Sequence, residues 1–323
     1  MTQDKNQTTL VTGAAGFIGF HLSKKLLENE NRVIGIDNLN PYYDVSLKKA
    51  RLGLLKSYKN FSFYKEDIQN LSAIEKIFET HSIDRICNLA AQAGVRHSLK
   101  DPFSYQKSNL EGFLNLLEMA RGYKIINFVY ASSSSVYGNN KKIPFSVDDR
   151  VDTPVSLYGA TKKANELMAY AYNHLYQIPC TGLRYFTVYG PWGRPDMALF
   201  LFTDAILHDR AINVYNYGRM RRDFTYIDDI VNGTIAALER PSPFEIFNLG
   251  NSNAIELLDF IRVLEEELGQ EAQKNMMPIQ PGDVLETSAD IQKSKEMLGF
   301  SPKTPITQGI KKFVSWYRDF YKI

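Results

Sequence analysis

VTGAAGFIG, residues 11–19, sets Gly13, Gly16 and Gly19 in the spacing G-x-x-G-x-x-G. The β-type run TTLVTG (8–13) leads into them, and FIGFHLSKKLLEN (17–29) follows with helical apolar spacing. A strand that turns into a helix through bare glycines lets backbone amides and the helix N-terminus approach a pyrophosphate. Strand–helix turns also use glycine for their own geometry, so the triplet needs a second mark. It comes at Asp37, eighteen residues after Gly19, where the run RVIGID (32–37) ends. A carboxylate there accepts hydrogen bonds from adenosine ribose hydroxyls. Asn38 follows, with no arginine nearby to neutralise a 2′-phosphate, so NAD is favoured over NADP. Phe17 and Ile18, inside the turn, belong to the same expected cofactor site.

Outward from this turn the chain keeps one rhythm. A helix is expected near 46–57, a strand at FSFYKED (61–67), and a helix through Thr80 that Ser72 could cap. The strand RICNLAA (85–91) follows, then a long helical pattern over 103–121, the strand IINFVYAS (125–132), a helix over 157–177 and the strand CTGLRYF (180–186). Nearly all-apolar strands alternating with helices predict a parallel sheet covered on both faces. Right-handed crossovers make it doubly wound, of the Rossmann type. After residue 187 the loop VYGPWGRPDM breaks the rhythm, and helices are expected at 255–269, 290–298 and 306–321. The expected organisation is an NAD-binding domain over 1–186, with a return segment near 225–250, and a smaller mixed α/β substrate lobe over 187–323.

Composition narrows the classes. With 44% hydrophobic and 23% charged residues and a net charge of +2, the 323-residue chain reads as soluble and globular. So small a charge, scattered in pairs, argues against nucleic-acid and membrane partners. MTQDKNQTTLVTG (1–13) holds no apolar leader, and no window approaches a membrane span. Cys87 and Cys180 lie in apolar runs and read as buried thiols, which favours a reducing cytoplasm. Two cysteines and no histidine spacing leave no zinc site.

Tyr158 and Lys162 stand four apart at the start of the 157–177 helix, so both lie on one face. A tyrosine titrates near pH ~10. A neighbouring ammonium and a positive nicotinamide ring are expected to bring the phenolate within reach as a base. With 19 tyrosines in the chain the pair means little alone; behind a dinucleotide turn it means more. Asp67 and Ile68 end the third strand and could hold the adenine edge or simply cap a turn. Ala90 and Ala91, in NLAAQAG, are small enough for a flat cofactor to cross the strand ends. Asn109 and Tyr185 complete the expected cofactor contacts, with core packing an open alternative for Tyr185.

T-G-x-x-G-x-x-G, the Asp37 strand end, NLAAQAGV, SSSSVYG, YGATK, RYFTVYGP and RRDFTYIDDI run in order across nearly the whole chain. Together they resemble the extended short-chain dehydrogenase/reductases, and within them the nucleotide-sugar 4-epimerases. YGPWGRPDMALF and QPGDVLETSAD are similar to the branch acting on UDP-glucuronate. The resemblance implies that Tyr158 takes the 4-hydroxyl proton while a hydride passes to tightly held NAD⁺. The 4-keto sugar then turns and takes the hydride back on its other face, with no net redox change. It implies that Lys162 binds the nicotinamide ribose and that a serine shares the proton at O4. Aligned on VYG and Tyr158, that serine is Ser133 in FVYASSSSVYG (128–138), with Ser134 beside it. Ser134 and Ser135 fall where related dehydratases carry an acid pair, and serines cannot protonate a leaving hydroxyl or take a C5 proton. Plain epimerisation is therefore expected.

For the substrate, a UDP-sugar, Arg222 matches the family's diphosphate-binding arginine and Asp283 a nucleotide-ribose ligand. Gln280 stands where the UDP-galactose branch often has a second arginine. Arg194 is the candidate for a hexuronate carboxylate, or else a loop arginine paired with Asp196. Thr187 is expected to face the sugar or the cofactor, and Arg96 to meet an anionic ligand. UDP-glucuronate 4-epimerase leads; a 4-epimerase of neutral UDP-sugars, a decarboxylase and a non-catalytic nucleotide-sugar binder are the rivals. A homodimer is implied by the resemblance alone.

Overall fold

The computed structural model describes residues 7–280 and 283–323; the first six residues of the N-terminal stretch searched for a leader lie outside them. The glycine turn joins β1 (Thr8–Thr12) to α1 (Phe17–Glu28), and β2 (Arg32–Ile36), α2 (Val45–Leu55), β3 (Phe61–Tyr64), α3 (Leu71–Thr80) and β4 (Arg85–Asn88) follow. The long helical stretch expected over 103–121 is present over 102–122, with a change of winding inside it. It divides into α4 (Pro102–Tyr105), a π-helical turn at Gln106–Glu111, and α5 (Gly112–Gly122). Then come β5 (Asn127–Ser133), a 3₁₀ turn (Ser134–Tyr137), α6 (Leu157–Tyr176) and β6 (Cys180–Tyr185). The expected cap of α3 is off by two residues. Asn70, not Ser72, accepts the Ala73 amide, and the Ser72 hydroxyl donates to Asn70.

Within the described residues the main sheet has seven strands. Its seventh, β10 (Phe244–Leu249), pairs with β6, giving the order β10-β6-β5-β4-β1-β2-β3, with every pairing parallel. Neighbouring residues alternate between two cores, as a pleated strand requires. Val11, Val33, Cys87, Val129 and Leu183 face one core with α1. Leu10, Ile34, Ile86 and Phe128 face the other with α3 and α5. Both cysteines are free and buried, and burial raises their thiol pKa values.

The rest of the chain holds β7 (Thr187–Tyr189), α7 (Ala198–Leu207), β8 (Ile212–Tyr215), β9 (Arg221–Tyr226) and α8 (Ile227–Glu239) before β10. After it come β11 (Ala254–Glu256), α9 (Leu257–Leu268), β12 (Lys274–Met277), α10 (Gln292–Leu298) and α11 (Ile306–Tyr321). The three helices expected here appear as α9, α10 and α11, and strands join them: β7, β9 and β11 form a small mixed sheet, and β8 pairs with β12. Helix α8 packs on α1, and the Asn127 side chain of β5 donates to the carbonyls of Ala237 and Leu238 at its end. No helix of the described residues is long and apolar enough to cross a membrane.

Candidate active site

Strand order reverses between β1 and β4, and a deep cleft opens at their carboxyl ends, where such sheets bind ligands. The glycine turn is its floor. Gly13 has φ +69°, and a side chain on Gly19 would come within 2.1 Å of the Gly13 carbonyl. Gly16 precedes α1 with no side chain capping it, so the first-turn amides remain for an anion. Just past β2, Asp37 is only 7% exposed; its carboxylate accepts the Ala15 amide at 3.1 Å and the Leu39 amide at 2.8 Å. Phe17, Ile18, Ile68, Ala90 and Ala91 line the same cleft. An uncapped helix, bare glycines and a backbone-held carboxylate one strand away fit an adenine dinucleotide.

Not every expected contact is of that kind. Asn38 donates to Asp67 at 2.8 Å, and Asp67 also accepts the Gln69 amide, so both tie loops together at the cleft's edge. Asn109 is buried away from the cleft wall. Its amide exchanges hydrogen bonds with the Gln92 backbone and donates to Thr161 at 3.0 Å, locking the β4 loop to α6. Tyr185 lines the cleft with its ring but pairs its hydroxyl with Thr234 on α8 at 2.9 Å. Core packing and site wall are one role there.

Ser156 caps α6 by accepting the Gly159 amide, which sets Tyr158 and Lys162 at the cleft. The four serines diverge. Ser132 borders the cleft, but its hydroxyl donates to buried Glu166, itself in a two-bond ion pair with Arg184. Ser133 lines the cleft, caps the 3₁₀ turn, and lies where its hydroxyl favours the Tyr158 phenolate. Ser134 sits in that turn and is not among the residues lining the cleft. Ser135 receives the Ser133 hydroxyl at 3.1 Å.

Burial raises the Tyr158 pKa, and the two groups opposing it are Ser133 and Arg194. Lys162, 2% exposed, donates to the Ala131 carbonyl at 2.8 Å, and burial lowers its pKa to about 8.

Arg194 lines the cleft near Tyr158 and pairs with Asp196 through two hydrogen bonds. Burial alone would lower its pKa, but Asp196 holds it up. Asp196 also accepts the Tyr42 hydroxyl at 3.0 Å. A second group stands farther out. Arg96 donates to Asp283 at 2.8 Å and its guanidinium lies 4.5 Å over the Tyr215 ring. Arg222 is close enough that Asp283 favours its charge while burial and Arg96 oppose it. Two cations beside one carboxylate suit a diphosphate and a ribose. Thr187 opens β7 opposite Phe224, and its neighbours Phe186 and Val188, not Thr187, line the cleft.

The pattern of the NAD dependent epimerase/dehydratase family matches residues 9–250. The chain belongs to that family. Its resemblance to the nucleotide-sugar 4-epimerases is borne out, and its cofactor is NAD. It is 47% identical over 335 residues to an Arabidopsis thaliana protein named UDP-glucuronate 4-epimerase 4, covering 97% of this chain and 76% of that one.

 A crystal structure of UDP-glucuronic acid 4-epimerase from Bacillus cereus, in complex with UDP-glucuronic acid and NAD, is 38% identical with a TM-score of 0.92, covering 98% of this chain and 100% of that one. UDP-glucose 4-epimerase from Thermotoga maritima, solved with UDP-glucose, is 32% identical with a TM-score of 0.90, covering 98% and 100%.

Within this family member, several site residues carried no mark in the sequence reading. Gln92, Lys48, Asn40 and Tyr42 line the cleft from loops whose course only the fold sets. Arg51 is wholly buried beneath the glycine turn. A helical arginine reads as solvated surface, and only its acceptors reveal otherwise.

Proposed function

We propose that the protein is a UDP-glucuronate 4-epimerase, interconverting UDP-glucuronate and UDP-galacturonate. The observation that carries this is Arg194, a cation near Tyr158 in the cleft that also contains Ser133 and Lys162. Bound NAD⁺ would supply a reversible hydride acceptor for C4, so the cycle has no net redox change. Gly13, Gly16 and Gly19 would admit its pyrophosphate, Asp37 its adenosine ribose, and Lys162 its nicotinamide ribose. Tyr158 takes the proton from O4 and returns it. Its raised pKa means that it needs help from the bound state to ionise. Ser133 holds O4 beside the phenol, and Arg222, Arg96 and Asp283 hold the nucleotide. Ser134 and Ser135 leave no acid for dehydration.

The Arg194–Asp196 pair favours a second reading, a neutral UDP-sugar 4-epimerase, because the cation already has a partner. The test is incubation of the purified protein, without added NAD, with UDP-glucuronate, UDP-glucose and UDP-N-acetylglucosamine in separate reactions. UDP-galacturonate should form in the first and little product in the others. Turnover of neutral sugars alone would establish the second reading. A 4-keto uronate is a β-keto acid that tends to lose CO₂, so a pentose product accumulating as fast as the epimer would also count against the proposal.

A further inference from the structure

The loop at 190–197 carries Arg194 but is hung from elements on the cofactor side. Arg51 of α2, with none of its surface exposed, reaches four acceptors. Its guanidinium donates to the Ala15 carbonyl in the glycine turn at 3.0 Å, the Tyr43 hydroxyl at 2.8 Å, and the carbonyls of Trp192 and Gly193 at 2.6 and 3.1 Å. A planar fork can span acceptors on three segments at once; a point ammonium cannot. One turn into α1, His21 Nε2 lies 2.9 Å from the Pro191 carbonyl. A carbonyl only accepts, so Nε2 carries the proton; burial lowers the His21 pKa to about 4, which leaves the ring neutral.

The loop itself is strained where it is gripped. Trp192 has φ +60°, a left-handed backbone that a tryptophan rarely adopts and that persists only when its surroundings over-determine it. Here its carbonyl is held by Arg51, and its ring is packed on Phe20 of α1 at 5.5 Å and on Trp316 and Phe320 of α11 at 5.2 and 5.0 Å. Two residues later comes Arg194.

We infer that Arg51 and His21 are positioning residues that fix the 190–197 loop to the glycine turn, so that Arg194 takes its place near Tyr158 only when the cofactor-side elements are formed. The task given to Arg194 rests on the function proposed above; the attachment of its loop does not. Trp316→Phe leaves Trp192 as the sole tryptophan, since the chain has two, and its emission then reports the loop directly. In that background His21→Leu and Arg51→Met should red-shift the emission. They should also raise KM for UDP-glucuronate roughly tenfold, the loss of about one buried hydrogen bond, with a smaller effect on kcat. His21→Gln, which keeps a donor, should restore both, and Arg51→Lys should restore them only in part.

Unchanged emission and KM in His21→Leu, with only a lower melting temperature, would overturn the inference. If Arg51→Met does not fold, the two His21 variants decide alone. If the parent protein turns over no UDP-glucuronate, the proposed function is lost, and the emission of Trp192 in His21→Leu against His21→Gln still decides whether the loop is strapped.

Discussion

Lys162, almost fully buried, holds its ammonium with one hydrogen bond, to the Ala131 carbonyl. Its pKa falls from 10.5 to about 8, a penalty on the order of 3 kcal/mol at neutral pH. The sign follows from proton binding: between pH 8 and 10.5 the unfolded chain holds the proton more tightly, so stability rises with pH there and the penalty is complete below it. Lys162→Met should therefore abolish turnover yet raise stability at pH 7 by about 1–3 kcal/mol, the lost acceptor offsetting part of the gain. Urea unfolding at pH 7 and pH 9.5 checks this, and the gain should shrink at the higher pH. The family's pairing of Tyr158 with Lys162 was legible from spacing. That burial raises the Tyr158 pKa was not, because desolvation depends on what packs around the pair.

At the scale of the element, the glycine turn and α1 act as one unit. A methyl on Gly19 would stand 2.1 Å from the Gly13 carbonyl, which is backbone and has nowhere to move. Gly19→Ala should cost about 1–3 kcal/mol and displace the first turn of α1. Thermal melting and the NAD released from the purified protein on acid treatment measure the two effects, and wild-type NAD content would show that the turn tolerates the methyl. His21, one turn on, gives α1 an acid limit. Its neutral state is stabilised in the fold by burial, with Arg51 and Lys24 opposing its charge, while the Pro191 carbonyl favours it. Its contribution is complete above pH 6.5 and is lost as pH falls toward 4, because the unfolded chain binds the proton first. His21→Gln should flatten the fall in urea midpoint between pH 7 and 5; an equally steep fall would place the acid sensitivity elsewhere. The glycine spacing announced this turn. The missed cap of α3 shows the opposite case, where several residues of similar propensity compete and packing chooses.

For the whole molecule, β10 and α8 matter more than their place in the chain suggests. β10 covers the edge of β6, and α8 lies on α1 over the core that Val129 and Leu183 face. We expect the sheet to need both, so a fragment ending at residue 186 should expose an edge strand and an apolar face. It should melt without a cooperative transition, and a sharp melt by circular dichroism would show that it folds alone.

What the sequence determined by itself was local: the glycine turn, the Asp37 strand end, the Tyr158–Lys162 face, and the alternation that makes a doubly wound sheet. Each depends on residues within a turn or a strand of one another. What only the tertiary structure decided was non-local. It separated four adjacent serines into a buried bond at Ser132, a cleft hydroxyl at Ser133 and two turn residues. It paired Arg194 with Asp196 and Arg96 with Asp283, and it buried Arg51 beneath three segments far apart in the chain. The physical reason is that a charge's partners, burial and pKa are properties of whatever surrounds it, and those surroundings exist only once the chain has closed on itself.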